Sequence, residues 1–180
     1  MVQAGLSGSH WRLGKTYMAS SVLFTMPQTP SYYEDLSVGQ RFSSSVGRTV
    51  FDVDNAWFSL LTLNSNQIHF NEEYTRTHLA GEPFNGRLLV NGALTLGLVI
   101  GLSVTASGVQ GIMLGLEDVR FTHPVFGGDT IYAEAEVSEM RESSSRRGFG
   151  VVKFRTRGYN QRGETVVEFI RVVLVPKRGS

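Results

Sequence analysis

The chain has 180 residues, 41% apolar, 11% aromatic and 18% charged, the make-up of a folded protein of about one domain; collagen, coiled coil and wholesale disorder are excluded. Seventeen Lys and Arg against 16 Asp and Glu leave a net charge of +1, too small for a field that gathers nucleic acid or an anionic membrane, so neither is an expected partner. Cysteine is absent, which removes disulfides, thiol nucleophiles and cysteine zinc sites and fits a reducing, cytoplasmic setting.

Residues 1–31 contain no acidic residue and end in Met26-Pro27-Gln28-Thr29-Pro30; they are expected to form a flexible extension ahead of one domain over residues 32–180. Arg41 to Val50 is predicted as a lone strand and Val53 to Leu63 as a helix with Asp52 or Asp54 as its N-cap. Leu88 to Leu116 carries no charge, yet its Asn, Ser, Thr and Gln residues and six glycines argue against a membrane span. A long apolar helix over Leu88 to Val104 fits it better. Beyond it the period changes to two. Ile112 to Phe121, Thr130 to Met140, Gly150 to Thr156 and Thr165 to Val175 read as strands, with a hairpin connection over Arg157 to Gly163. Successive strands with short links imply an antiparallel sheet, and a helix apolar all round belongs inside it. The expected fold is therefore α+β, a hot-dog arrangement with the sheet wrapped around the helix. Gly97 and Gly101, four apart on one helical face, would let the sheet or a second subunit come close.

Histidine occurs at 10, 69, 78 and 123. His10 falls in the extension, and His123 before Pro124 suits a turn. His69 lies in Leu63-Asn64-Ser65-Asn66-Gln67-Ile68-His69-Phe70-Asn71-Glu72, a polar cluster that is costly to bury unless it binds something. On spacing alone a structural histidine and a catalytic one both remain open. No metal site is visible, since His69 and His78 are nine apart without a suitably spaced acid. No glycine-rich phosphate loop or redox cofactor anchor is present either.

The run Asn64-x-Asn66-x-x-His69, then Leu89-Val90-Asn91-Gly92, then Phe121-x-x-Pro124-Val125-Phe126-x-Gly128-Asp129-Thr130 resembles the MaoC-type (R)-specific enoyl-CoA hydratases in order as well as in motif, over about residues 32 to 175. Leu60-Leu61-Thr62-Leu63-Asn64 with Leu94-Thr95-Leu96 looks most like the branch acting on methyl-branched dicarboxylic thioesters such as mesaconyl-CoA. The resemblance implies a homodimer of hot-dog subunits that hydrates a 2-enoyl-CoA reversibly, with the coenzyme A thioester as substrate and no separate cofactor. It places His69 at the catalytic histidine and Asn64 at a position the family fills with aspartate. Asn64 can orient a water or hold the imidazole, but an amide cannot accept the water's proton. An imidazole titrating near 6.5 can do so alone and return the proton to the α-carbon. Glu72, Glu73, Glu82 and His78 are alternative acids. Gly92, at the start of the helix, would offer its N–H to the thioester oxygen. Asn66 would brace the loop, and Asn91 stands where many such hydratases carry histidine.

From Arg141 to Arg162 seven cations face one acid, Glu142, which predicts a basic sheet face. Arg146 and Arg147 within it are candidates for the coenzyme A phosphates, since guanidinium matches phosphate geometry. Three readings are expected to compete: a hydratase, a thioesterase on the same fold, and a silent acyl-CoA binder.

Overall fold

The structure, a computed structural model, describes residues 32–107, 109 and 111–179, so the expected extension over residues 1–31 lies outside the described residues. After a single 3-10 turn at Tyr33–Asp35 come β1 (Arg41–Ser43), β2 (Arg48–Thr49), α1 (Asp52–Leu61), a second 3-10 turn at Gln67–His69 and α2 (Glu72–His78). Next follow α3 (Gly92–Ser107) and the strands β3 (Ile112–Phe121), β4 (Thr130–Glu142), β5 (Phe149–Asn160) and β6 (Thr165–Pro176). The strands form one antiparallel sheet in the order β1-β4-β5-β6-β3, with β2 also on β4.

Alternation sets which face is buried. Ile131 and Ala133 of β4 and Val167 and Phe169 of β6 are buried against α3, while Ala135 and Val137 of β4, Phe154 of β5 and Val173 and Val175 of β6 form a second buried cluster with Leu36 and Val109. Val99 and Leu102, with the polar Thr95, Ser103 and Ser107, are the buried residues of α3. At Gly158 an added Cβ would stand 2.3 Å from Val99 Cγ2, so the missing side chain is what lets the helix rest directly on β5. The opposite side of α3, with Ala93, Gly97, Gly101 and Val104, is exposed, and nothing lies within 4 Å of a Cβ built at either glycine. The helix is thus wrapped on one side only, and the sheet is not what approaches the two glycines.

Several boundaries differ from the sequence reading. The expected strand Arg41 to Val50 is broken at residues 44–47, where Gly47 packs against Thr130 and Tyr132. Helix α1 takes neither Asp52 nor Asp54 as N-cap. Phe51 holds that position, and Asp54, within the first turn, accepts the Phe51 N–H (2.9 Å) and the Arg48 guanidinium (2.9 Å). Strand β5 runs on to Asn160, because Arg157 pairs with Glu134 (3.0 Å) and Tyr159 stacks on Tyr132 (5.6 Å between centroids) across the ladder. The same ladder corrects the basic face. Glu134, Glu136 and Glu139 stand opposite Arg157, Arg155 and Lys153, and Lys153 also meets Glu117 at 3.1 Å, so the outer face carries mixed charge. Composition along the chain missed this because the acids lie on a neighbouring strand.

Asp129 closes the turn before β4 with its carboxylate 4% exposed. Burial alone would raise its pKa, but donors from Gln161, the Phe126 N–H and Arg162 outweigh it and hold the carboxyl below its ordinary range. A depressed folded pKa means stability that is complete above the unfolded value near 3.9 and lost as pH falls through the folded one. The Tm gap between the wild type and Asp129→Asn is therefore expected to be constant above about pH 5 and to shrink below it, as followed by thermal melts.

Candidate active site

Three segments converge at the N-terminal end of α3. The first is the 3-10 turn carrying His69, capped by Asn66, whose side chain accepts the Ile68 N–H (3.4 Å). The second is Leu89-Val90, which bonds back to both neighbours: Leu89 N–H to Ile68 O at 3.0 Å and Val90 N–H to Val125 O at 2.8 Å. The third is the helix start, where Asn91 accepts the Ala93 N–H on its side chain (3.0 Å) and the Thr95 N–H on its carbonyl (3.0 Å).

A cavity of about 350 Å³ opens between them, lined among others by His69, Gly92, Thr95, Phe121, His123 and Val166. His69 is only 7% exposed, and its Nδ1 lies 2.7 Å from the Leu89 carbonyl. That carbonyl can only accept, so Nδ1 carries the hydrogen, and Nε2, with no protein partner among the described residues, holds the lone pair. Gly92 N–H is also without a partner, as befits the first turn of a helix, and the positive end of the helix dipole reinforces it. A Cβ on Gly92 would come within 3.2 Å of Phe121 Cζ, so a side chain there would press into the cavity wall.

The sequence candidates separate. His69 and Gly92 share one cavity, and Asn91 and Asn66 are committed as caps at its edge. Asn64 does not line the cavity; its side chain accepts the Asn66 N–H (3.0 Å) and shapes the turn, while the Leu89 carbonyl holds the imidazole. Arg146 and Arg147 are exposed in the hairpin before β5, whereas cavity residue Val166 follows the other end of that strand. The eleven steps along β5, at about 3.3 Å each, place them about 36 Å away within one chain. His78 stacks on Tyr74, Glu72 pairs with Arg76, and Glu82 accepts from Asn85 at 3.1 Å; these and the exposed Glu73 are all outside the cavity. Among the described residues no carboxylate lines it, and no three His, Asp or Glu cluster as a metal would need.

Two residues gain importance. His123, read as a turn residue, does bond its Nδ1 to Thr165 O (2.7 Å), yet its ring also lines the cavity as a second imidazole. Asn55 of α1 is fully buried and donates to both His69 O (2.8 Å) and Leu89 O (2.9 Å) while accepting the Asn91 N–H (2.8 Å). Its only sequence signal is an Asn on the inward side of a helix, four residues before buried Ser59.

Residues 35–158 match the MaoC like domain. The chain is 33% identical over 149 residues to mesaconyl-CoA hydratase of Cereibacter sphaeroides, an alignment covering 82% of this chain and 41% of that protein; the chain thus spans well under half of that relative. It is 30% identical over 148 residues to the (R)-specific enoyl-CoA hydratase of Rhodospirillum rubrum, covering 82% of this chain and 94% of that one. Among solved structures, a Mycobacterium tuberculosis protein with a double hot-dog fold superposes with a TM-score of 0.73 at 23% identity, covering 86% of this chain and 47% of that chain, which speaks for the fold alone.

Proposed function

The chain belongs to the MaoC-like family, and from that premise we propose that it adds water reversibly across the double bond of a 2-enoyl-CoA thioester. The observation that carries this reading is the shared cavity of a lone-pair-bearing His69 Nε2 and an unpaired Gly92 N–H. Water attacking the β-carbon gives its proton to Nε2 as negative charge gathers on the thioester oxygen. Gly92 N–H receives that charge at the helix start, a role typically worth about 3 kcal/mol. The resulting imidazolium is held by the Leu89 carbonyl and returns the proton to the α-carbon from the same face, which makes the addition syn. Coenzyme A enters as part of the substrate, and no step calls for a separate cofactor. Similarity to mesaconyl-CoA hydratase supports a short, methyl-branched dicarboxylic acyl group.

The test is loss of enoyl-thioester absorbance with mesaconyl-CoA and crotonyl-CoA, run beside a thiol-release assay. Thiol release without loss of the double bond would replace this reading by a thioesterase, and binding without either by a silent binder.

The working unit is proposed to be a homodimer. Strand β3 is an open edge with Ile112, Met113, Leu114, Val119 and Phe121 exposed, and the outer side of α3 is exposed as well. An open edge with apolar side chains is a pairing surface that proteins cover. Light scattering is expected to give twice the chain mass for the wild type and a single chain for Leu114→Lys; a wild type monomeric at micromolar concentration would overturn the dimer. No helix among the described residues is long and apolar enough to cross a membrane.

A further inference from the structure

We infer that Asn55 is the positioning residue of the site: one buried carboxamide that fixes where His69 stands relative to the helix start bearing Gly92. The inference rests on the hydratase reading for its catalytic consequence, though not for its geometry.

The two working groups come from segments more than twenty residues apart, and neither packs rigidly by itself. His69 sits in a single 3-10 turn, and Gly92 begins a helix whose opposite side is open. Asn55 reaches both. Its Nδ2 uses one hydrogen on His69 O (2.8 Å) and the other on Leu89 O (2.9 Å), while its Oδ1 takes the Asn91 N–H (2.8 Å). Leu89 O is the same atom that receives His69 Nδ1 at 2.7 Å. Its two lone pairs are therefore both engaged, one by the base and one by Asn55. The carbonyl cannot turn without breaking a bond to either. That fixes the imidazole plane and keeps the hydrogen on Nδ1, so Nε2 stays the acceptor facing the cavity.

Among the neutral side chains only a carboxamide suits this position. It offers two donors on one atom and an acceptor on the other, matching two carbonyls and one N–H around a side chain that is itself fully buried. Aspartate has the same shape and keeps the acceptor, but its second oxygen would face two carbonyl oxygens. Helix α1 holds Asn55 from below through the inward side it shares with Ser59, so the carboxamide is delivered by an element that does not otherwise touch the chemistry. Asn55 does not line the cavity and so acts through His69 and Asn91.

Asn55→Asp tests this with two readouts. The first is the nitrogen NMR signature of the His69 ring: the wild type is expected to show the Nδ1–H form, and the variant a mixture of both tautomers. The second is turnover of enoyl-CoA, where kcat is expected to fall about 10- to 100-fold while KM moves little, the pattern of a displaced catalytic group. A folded variant with an unchanged imidazole signature and a kcat within about twofold of wild type overturns the inference. Should Asn55→Asp fail to fold, Asn55→Ala carries the same two measurements. Hydrogen exchange in the wild type stands apart from both variants, since an Asn91 amide held by Asn55 must exchange slowly; rapid exchange there overturns the inference. A wild type with the Nδ1–H signature and no turnover would remove the hydratase reading and leave the geometry of Asn55 standing.

Discussion

Replacing His69 by alanine is expected to lower kcat/KM for the enoyl-thioester about 1,000-fold, within the range that a positioned acid–base group supplies and equal to about 4 kcal/mol of barrier. The size follows from what else is present. Among the described residues no carboxylate lines the cavity, and Asn64, where a carboxylate would share the proton, accepts the Asn66 N–H instead. Among the described residues His123 is the only other titratable side chain lining it, and its Nδ1 is spent on Thr165 O. KM should change little, because an imidazole acting on water adds little in the ground state. His69→Gln is the matching control, since it can still donate to Leu89 O but cannot accept a proton. Steady-state kinetics on both, with circular dichroism to verify the fold, decide the matter: turnover above a tenth of wild type in His69→Ala would remove the histidine from the mechanism. His123→Ala, by contrast, should leave the rate within about tenfold, unless the second imidazole and not the first carries the proton.

The sequence carried the parts of this site that depend on period and local spacing. The uncharged run reads as a long helix over Leu88 to Val104; the structure starts that helix four residues later, at Gly92, because Leu89 bridges Phe126, while the alternation in Thr130 to Met140 marks the four buried residues of β4. His69 stood out because polar residues crowd around it. Long-range geometry was not legible. Nothing local says that the carboxamide at Asn55 meets a carbonyl 34 residues later, or that His123 turns its ring onto the same cavity as His69. Strand β3 follows α3 directly yet lies beyond β6, a crossover that period alone does not encode. The basic run from Arg141 to Arg162 misled for a related reason: charge counted along the chain ignores the acids that β4 sets opposite. Charge alone singles out Arg146 and Arg147, whereas their place at the far hairpin follows from pairing register.

Arg171→Met is expected to raise stability. Arg171 lies on the inner face of β6 between Phe169 and Val173, is 3% exposed, and leaves Nε and Nη2 buried without a hydrogen-bond partner. Burial pushes its pKa down to about 10, and no neighbouring acid raises it again. At pH 7 the group keeps its proton in the folded and the unfolded chain alike, so the penalty is constant across the neutral range. The stacking of the guanidinium over Phe154, 4.9 Å from the ring centroid, offsets only part of the desolvation cost. Methionine fills nearly the same length with no charge and can keep contact with that ring. Replacing buried charge by apolar volume has yielded about 1–4 kcal/mol elsewhere, and each kcal/mol moves Tm by about 2–4 °C in a chain of this size. Urea and thermal unfolding at pH 7 would read the change, with Arg171→Ala as the comparison that adds a cavity and so should gain less or lose. A clear drop in Tm for Arg171→Met would mean that the assembled protein brings an anion to the guanidinium, either an acyl carboxylate or an acid from a second copy. Repeating the melts with and without a dicarboxylic acyl-CoA, and on the monomeric Leu114→Lys background, would then separate these two sources.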